Sequence, residues 1–229
     1  MTKVTTDKIS CIIPAYNEGK RISKVISVLK DHKLIDELIV LNDGSTDNTS
    51  EVIRQFKGIR IIDLKENRGK SYTVYTGIKM ARNELIMLID ADLIGLNKKN
   101  ITDLIMPVLE KKADVSISLR ANAPLISRML GIDFISGERI FHKGMIDDYK
   151  KISELSGFGL EVFLNKKIID KRLRVKIVIW DNVESPYPVK KWGFIRGNLR
   201  FIGMIGQIIK TAGIFGTLHQ IIRMRSLMI

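Results

Sequence analysis

The sequence predicts an α/β protein whose mainly parallel sheet is covered by helices. Short apolar runs rich in Ile, Leu and Val recur along the first half of the chain, and stretches with helical spacing of apolar residues separate them. Parallel strands need long crossover connections, so strands that alternate with helices favour a parallel sheet. The predicted strands are 9–13, 37–41, 59–64, 84–90 and 114–119, and the predicted helices are roughly 19–30, 47–57, 69–81 and 100–111.

The fourth predicted strand, "ELIMLID", shows where function is to be sought. Its residues 85–89 are continuously apolar, which is typical of a strand buried on both faces, yet it leads directly into Asp90 and Asp92. Ligands of open parallel sheets bind beyond the carboxyl ends of the strands. Polar groups also follow the other strands at this edge, in the stretches 14–18, 42–47 and 66–70. Taken one at a time, these residues could be simple turn and helix-capping residues.

The composition is that of a globular, enzyme-sized unit. Of the 229 residues, 45% are hydrophobic and 28% are charged, and the chain has no low-complexity tract, which argues against disorder and against a repeat array. The single cysteine, Cys11, lies in an apolar run, so we expect a buried, inert thiol and a reducing compartment. Because the first ten residues lack an apolar core typical of a secretory signal, we expect a cytoplasmic protein.

The positive charge is concentrated at the end of the chain. The net charge is +13, and from Ser185 onward the sequence contains seven basic residues and no acidic one. We therefore predict a catalytic domain over 1–189 and a basic, amphipathic helical tail over 190–229 that binds an anionic membrane surface. No stretch offers the roughly 20 uncharged apolar residues that a membrane span needs. The alternative is that these helices pack on the catalytic domain or on another subunit.

Two aspartates separated by one residue at a strand end suggest a metal site. Close carboxylates repel each other unless a cation lies between or beside them, and Mg²⁺ and Mn²⁺ often bind one or two carboxylates together with substrate phosphates. The alternative is a pair of solvated turn aspartates. If the metal holds a diphosphate, Tyr16 can lie against a base or sugar, Asp43 can accept a hydrogen bond from a base, and Lys70 can approach phosphate.

Four motifs carry a resemblance to a known family. In order and spacing, "CIIPAYNE", "VLNDGSTDNT", "ENRGKSYTVYTGI" and "LIDADL" resemble the inverting family 2 glycosyltransferases of the GT-A fold, and within them the dolichyl-phosphate or polyprenyl-phosphate mannose and glucose synthases. Asn42 stands where the family often has Asp, and Ile94 stands where these synthases often have Gln.

The resemblance implies a role for each matching residue. It places Asp43 at the base, Lys70 near the nucleotide, and Asp90 and Asp92 at the sugar and at a diphosphate bound by Mg²⁺ or Mn²⁺, with Asp92 as the main metal ligand. The residues that it implies at the border of the nucleoside are Pro14, Ala15, Tyr16 and Glu18.

The second half of the chain supplies candidates for acceptor binding. The stretch "SGER" is similar to the Ser-Gly-x-Arg acceptor segment of the polyprenyl-phosphate sugar synthases, which implies roles for Ser136 and Arg139. Arg120, at a predicted strand end, could also bind an acceptor phosphate, because guanidinium matches phosphate oxygens in a bidentate way. If the acceptor is an alcohol, it needs a base, and Asp133 and Glu161 are the candidates.

These observations predict a glycosyltransferase that moves a hexose from a UDP- or GDP-sugar to a polyprenyl (dolichyl) phosphate or another membrane lipid, on the inner face of the cell membrane. No nucleic-acid partner is expected. The nearest alternative is a family member that glycosylates a sugar hydroxyl in polysaccharide or glycan synthesis. Two others are a nucleotidyltransferase and a membrane or nucleic-acid binding module on a degenerate transferase scaffold, which the basic tail would suit.

Overall fold

A single mixed sheet organises the computed structural model, which describes residues 7–186, 216 and 218–229. The strands of this described part are β1 (Ile9–Ala15), β2 (Glu37–Asp43), β3 (Arg60–Leu64), β4 (Leu85–Leu88), β5 (Val115–Arg120), β6 (Arg139–His142) and β7 (Val175–Trp180). They lie in the order β3-β2-β1-β4-β6-β5-β7. β6 runs antiparallel to both of its neighbours, and the other pairs are parallel. The predicted α/β class is therefore confirmed.

The sheet contains two strands that the sequence analysis did not predict. β6 has only four residues, which is too short for a clear periodic pattern. In β7, Lys176 and Ile179 are exposed, although Ile179 is apolar, so the strand does not show a strict alternation of apolar and polar residues. It lies at the edge of the sheet beside β5. β6 matters for the site, because it inserts between β4 and β5 and places the residues before it against the end of β4.

The helices of the described part cover both faces of the sheet. They are α1 (Ile22–Leu29), α2 (Thr49–Arg54), α3 (Lys70–Met80), α4 (Lys98–Leu109), α5 (Leu125–Leu130), α6 (Lys150–Ser153), α7 (Gly159–Asp170) and a helical stretch over 218–225. The four predicted helices are confirmed; α1, α2 and α3 are shorter than predicted, and α4 begins two residues earlier and has the predicted length. Just before α2, the Asp47 carboxylate accepts the Thr49 backbone N–H at 2.9 Å, a local bond that is typical of Asp at a turn.

The alternation of side chains along β1 divides the core into two layers. Cys11 and Ile13 face a cluster with α1 and α4, whereas Ile12 faces a cluster with α3 and α7. Cys11 is fully buried and free, as predicted, and its burial raises the pKa of the thiol. With helices on both faces, the open edge at the carboxyl ends of β1, β2 and β4 is left for a ligand.

The described end of the chain packs on this body. Residues 218–225 are helical, and Ile221 and Met224 are buried in the α3 and α7 layer. The Val175 N–H donates to the carbonyl of Leu227 at 2.9 Å, and the Ile229 N–H donates to the carbonyl of Val175 at 3.0 Å.

The predicted domain division at residue 189 and most of the predicted membrane-binding tail lie outside the described residues. Among the residues described, no helix combines the length and apolarity needed to cross a membrane.

Candidate functional site

A cleft of about 320 Å³ opens at the carboxyl ends of β1, β2 and β4. It is formed by the loops that follow these strands and by the first turns of α3. The predicted nucleotide and metal residues that line it are Pro14, Ala15, Tyr16, Glu18, Asp43, Lys70, Asp90 and Asp92; Asn67, Gly69, Thr73 and Ala91 complete the lining. The structure therefore brings residues from four separate sequence motifs into one cavity.

The loops after β1 and β2 are fixed to each other by side-chain to backbone hydrogen bonds. The Asn17 side-chain oxygen accepts the backbone N–H of Thr46 at 2.8 Å, and the Asn17 N–H donates to Ser45 Oγ at 3.0 Å. The Glu18 N–H donates to Thr49 Oγ1 at 2.8 Å. Asn17 itself has a positive φ of 55°, a conformation that Asn tolerates better than most residues. This arrangement holds the 40%-exposed Tyr16 at the mouth of the cleft.

Asp43 organises the third loop of the cleft. Its two carboxylate oxygens accept the backbone N–H groups of Arg68 at 2.7 Å and Gly69 at 2.9 Å. The next residue, Gly44, has a φ of +64°, and a Cβ there would lie 2.4 Å from the backbone of Glu66. Only glycine lets the two loops approach so closely. Because each carboxylate oxygen has more than one lone pair, Asp43 can hold this loop and still accept a bond from a ligand.

The centre of the cleft is an ion-pair triad of Lys70, Asp90 and Glu161. Lys70 Nζ lies 2.8 Å from Asp90 Oδ1 and 3.0 Å from Glu161 Oε1. Burial would lower the pKa of the lysine, but the two carboxylates outweigh this effect and raise it, so Lys70 stays cationic. Burial likewise opposes ionisation of Asp90, and Lys70 and Arg120 overcome it and lower the pKa of Asp90. Asp90 is therefore an ionised carboxylate at neutral pH.

The donor set of the cleft suits a hard cation that also binds substrate. Asp90 and Asp92 present carboxylate oxygens, the ligand type that Mg²⁺ and Mn²⁺ prefer. Within the described residues, no group of three or more His, Cys, Asp and Glu side chains could hold a metal by itself. Two carboxylates without a closed cage are the pattern expected where substrate phosphates complete the coordination.

A second charged layer, centred on Arg120, lies behind the triad. The Arg120 side chain is 12% exposed, and its Nη2 lies 3.2 Å from Asp133 Oδ2. Its Nη1 donates to Ser185 Oγ at 2.9 Å and lies 3.5 Å from Glu138 Oε1. Although burial would lower the pKa of Arg120, Glu138 and Asp133 outweigh this effect and raise it. Burial raises the pKa values of Asp133 and Glu138 despite the arginine.

Four other predicted site residues are buried rather than open to the cleft. Ser136 and Arg139 are fully buried, and Arg139 donates through Nε to the Ser136 carbonyl at 3.1 Å and through Nη1 to Asn165 Oδ1 at 3.1 Å. The Asp133 side chain is 0% exposed and that of Glu161 is 2% exposed. None of the four lines the cleft: Glu161 is the buried member of the triad, and Asp133, Ser136 and Arg139 lie on the protein side of it.

The sequence analysis assigned no role to two residues of the stretch before β6, Gly137 and Glu138. Gly137 lies so close to the triad that a Cβ would be 2.6 Å from both carboxylate oxygens of Asp90 and from Lys70 Nζ. Glu138 is fully buried and accepts hydrogen bonds from Ser118 Oγ and Ser136 Oγ. Both residues lie in the stretch "SGER", where Glu138 stands between a glycine and an arginine, so no local signal indicated its burial or the close approach of Gly137 to the triad.

The family model named Glycosyl transferase family 2 matches residues 10–176. This match covers most of the chain and contains all of the cleft-lining residues. The chain therefore belongs to glycosyl transferase family 2.

Two curated relatives differ in what they make. The chain is 40% identical over 90 residues to a poly-β-1,6-N-acetyl-D-glucosamine synthase of Staphylococcus epidermidis, a match that covers 38% of this chain and 22% of that protein. It is 29% identical over 153 residues to a dolichyl-phosphate β-glucosyltransferase of Trichomonas vaginalis, which covers 54% of this chain and 44% of that protein. The chain thus matches less than half of the length of either relative.

Solved structures of one enzyme share the fold. Glucosyl-3-phosphoglycerate synthase from Mycobacterium tuberculosis, in complex with Mn²⁺, UDP and glucosyl-3-phosphoglycerate, superposes with a TM-score of 0.69 at 22% identity, over 91% of this chain and 81% of that chain. The same enzyme with Mg²⁺ and UDP also gives a TM-score of 0.69 at 22% identity, over 91% of this chain and 80% of that chain. The predicted GT-A fold is confirmed by this likeness.

Replacement of Gly137 by Ala is expected to separate Lys70 from Asp90, because the added methyl group would occupy the space of three charged atoms. We expect a loss of about 1 to 3 kcal/mol in the free energy of unfolding, as for other overpacked buried sites. A crystal structure of the variant would give the distance between Lys70 Nζ and Asp90 Oδ1, and denaturant titration would give the stability.

Gly144→Ala is the matched control, since a Cβ at this exposed position meets nothing nearer than His142 Nδ1 at 3.2 Å. An unchanged Lys70 to Asp90 distance in the Gly137 variant would contradict the assigned role of Gly137.

Proposed function

We propose that the protein transfers a hexosyl group from a UDP- or GDP-hexose to a lipid phosphate, such as a polyprenyl (dolichyl) phosphate, with inversion at the anomeric carbon. The observation that carries this proposal is the ion-pair triad of Lys70, Asp90 and Glu161 at the floor of a cleft that Asp92 and Asp43 also line. One cavity therefore contains the cationic side chain of Lys70, the ionised carboxylate of Asp90 and the proposed nucleoside pocket.

The nucleoside end of the cleft is formed by the loops after β1 and β2. Tyr16 offers an aromatic face at the mouth, and Asp43 lies deeper, 3% exposed, with lone pairs available for a base N–H. Pro14, Ala15 and Glu18 complete this wall. Solved structures of the same fold that contain UDP support a uridine nucleotide as the first donor to test.

The carboxylates at the end of β4 would hold the divalent cation. We propose Asp92 as the main ligand and Asp90, which Lys70 holds in place, as the carboxylate that orients the sugar or contributes a second ligand. A bound Mg²⁺ or Mn²⁺ would neutralise the negative charge of a nucleoside diphosphate leaving group. Mn²⁺ and Mg²⁺ occur with UDP in structures of the same fold, which supports this choice of cofactor.

The burial of the two candidate bases supports an acceptor that is already anionic. Asp133 is paired with Arg120 and Glu161 is paired with Lys70, and neither carboxylate reaches the cleft surface. A sugar hydroxyl needs a base within hydrogen-bond reach of its proton, whereas a phosphate monoester is deprotonated near neutral pH and needs only alignment and charge screening. Arg120, which is partly exposed, would bind that phosphate, and Arg139 would support the site from beneath.

The proposed step is a single in-line displacement. An oxygen of the acceptor phosphate forms a bond to the anomeric carbon while the bond from that carbon to the donor diphosphate breaks, and the electron pair leaves with the diphosphate. The products are a sugar phosphodiester and a nucleoside diphosphate. Asp90 holds the sugar in the orientation that this geometry requires, and Lys70 keeps Asp90 in place.

We further propose that this transfer takes place at the cytoplasmic face of the membrane. The seven basic residues from Ser185 onward support attraction to anionic lipid. Co-sedimentation with phosphatidylglycerol vesicles at low and high salt would measure it, and absence of binding at low salt would count against the membrane location.

A second candidate function is transfer to a sugar hydroxyl. The 40% identity to a polysaccharide synthase over 90 residues favours it. This reaction needs Asp133 or Glu161 as a general base, so one of these carboxylates would have to become accessible when the acceptor binds.

Asp92→Asn is expected to lower metal-dependent sugar transfer by about 100-fold or more, because the amide is a poor ligand for the cation that screens the leaving group. The rate would be measured with UDP- and GDP-hexoses over a Mn²⁺ titration and in the presence of EDTA.

Asp103→Asn on α4 provides the control, since that aspartate forms an exposed ion pair with Lys99 and lies outside the cleft. Full activity of Asp92→Asn, or of the wild-type protein in EDTA, would rule out the proposed metal role.

Asp133→Asn and Glu161→Gln separate the two acceptor classes. With a phosphate acceptor, we expect losses smaller than the roughly 100-fold that removal of a general base causes, because the amide oxygens can still accept from Arg120 and Lys70. The readout is kcat as a function of pH, with the unfolding midpoint as a check on folding. Abolished transfer by either folded variant would favour the sugar-hydroxyl reaction.

A further inference from the structure

A buried carboxylate that the proposed reaction does not use lies beneath the site. Glu138 is 0% exposed, and its Oε2 accepts hydrogen bonds from Ser118 Oγ at 2.7 Å and from Ser136 Oγ at 2.8 Å. The two hydroxyls also lie 2.8 Å from each other. We call these three side chains the Glu138 cluster. It joins the middle of β5 to the loop before β6, and both serines are fully buried.

The second oxygen of Glu138 points to the charged layer of the site. Oε1 is buried and lies 3.5 Å from Arg120 Nη1. The charges of Arg120 and Asp90 both act on this carboxylate. The same guanidinium donates through Nη1 to Ser185 Oγ at 2.9 Å and through Nη2 to Asp133 Oδ2 at 3.2 Å. Arg120 is thus held between two buried acids and a hydroxyl.

The burial of these charged groups costs free energy of folding, and filling the core does not require it. A buried ion pair is often no more stabilising than well-packed apolar residues of similar volume, because both charges lose their hydration. Glu138, Ser118, Ser136 and Arg120 instead form a polar group within a sheet whose helices pack on it through apolar layers. Perturbed charges of this kind are concentrated at functional sites.

We propose that Glu138, held by Ser118 and Ser136, is a positioning residue that fixes the Arg120 guanidinium beside Asp90 for binding of the acceptor's phosphate. This inference rests on the proposed function, because it presumes that Arg120 meets the acceptor. Two serine hydroxyls fix one carboxylate oxygen, and this leaves the other in a single orientation toward the arginine. The cluster acts through Arg120 and does not contact substrate.

Strand β5 offers a matched pair of variants to test this inference. Ser118 and Ser116 are both fully buried on this strand, but Ser118 Oγ bonds to Glu138, whereas Ser116 Oγ has no hydrogen-bond partner among the described residues. Ser118→Ala is expected to raise the KM for the lipid phosphate about ten-fold, the usual effect of one lost hydrogen bond to a charged group. The KM for the nucleotide sugar should stay within about two-fold, because its pocket lies at the loops after β1 and β2. Ser116→Ala should leave both values unchanged.

A readout that needs no activity separates this inference from the proposed function. The Nε–Hε signal of Arg120 in a ¹⁵N-arginine spectrum, assigned by its loss in Arg120→Lys, should shift in Ser118→Ala and not in Ser116→Ala. If that shift occurs but the wild-type protein transfers no sugar to lipid phosphate, the positioning role stands and the proposed function fails. If the signal is the same in both serine variants, or if the two variants have the same KM for the acceptor, the positioning role of Glu138 is overturned.

Discussion

The contact of Lys70 with Asp90 and Glu161 is the interaction on which the site depends. It ties the first residue of α3 to the end of β4 and to the first turn of α7, three elements that are far apart in the sequence. A buried carboxylate without a partner would take up a proton or destabilise the fold. Lys70 gives both acids an ionic partner, and its charge lowers the pKa of Asp90, so this carboxylate is ionised in the cleft where the proposed reaction needs it.

The rest of the edge is arranged around this triad. Asp43 accepts the N–H of Gly69, the residue before Lys70. This bond connects the end of β2 to the residue that begins the triad. On the other side, Gly137 allows the chain to pass directly against Asp90 and Lys70. The residues after it continue into β6, whose Arg139 donates to Asn165 on α7, the helix that carries Glu161. α7 is thus tied both to the triad through Glu161 and to the start of β6 through Asn165.

Local sequence patterns were sufficient for the first half of the fold and for the cleft. β1 to β5 are apolar runs, and the cleft-lining residues follow them directly in sequence, so topology alone brings Tyr16, Asp43 and Asp90 together. The second half was less predictable, because its contacts are long-range. No residue near Arg139 in sequence indicated that its guanidinium would donate to the Ser136 carbonyl and to the Asn165 side chain. Likewise, no local pattern indicated that Glu138 would lie near Asp90.

The central claim, hexosyl transfer to a lipid phosphate, is tested most directly by the chemical nature of the product. Labelled UDP- and GDP-hexoses would be incubated with the protein, Mn²⁺ and a lipid extract, and the label would be followed into the organic phase. The account predicts organic-phase label that mild acid releases, as expected for a sugar phosphodiester of a polyprenyl lipid. Label that enters only water-soluble products, or lipid label that resists mild acid, would contradict it.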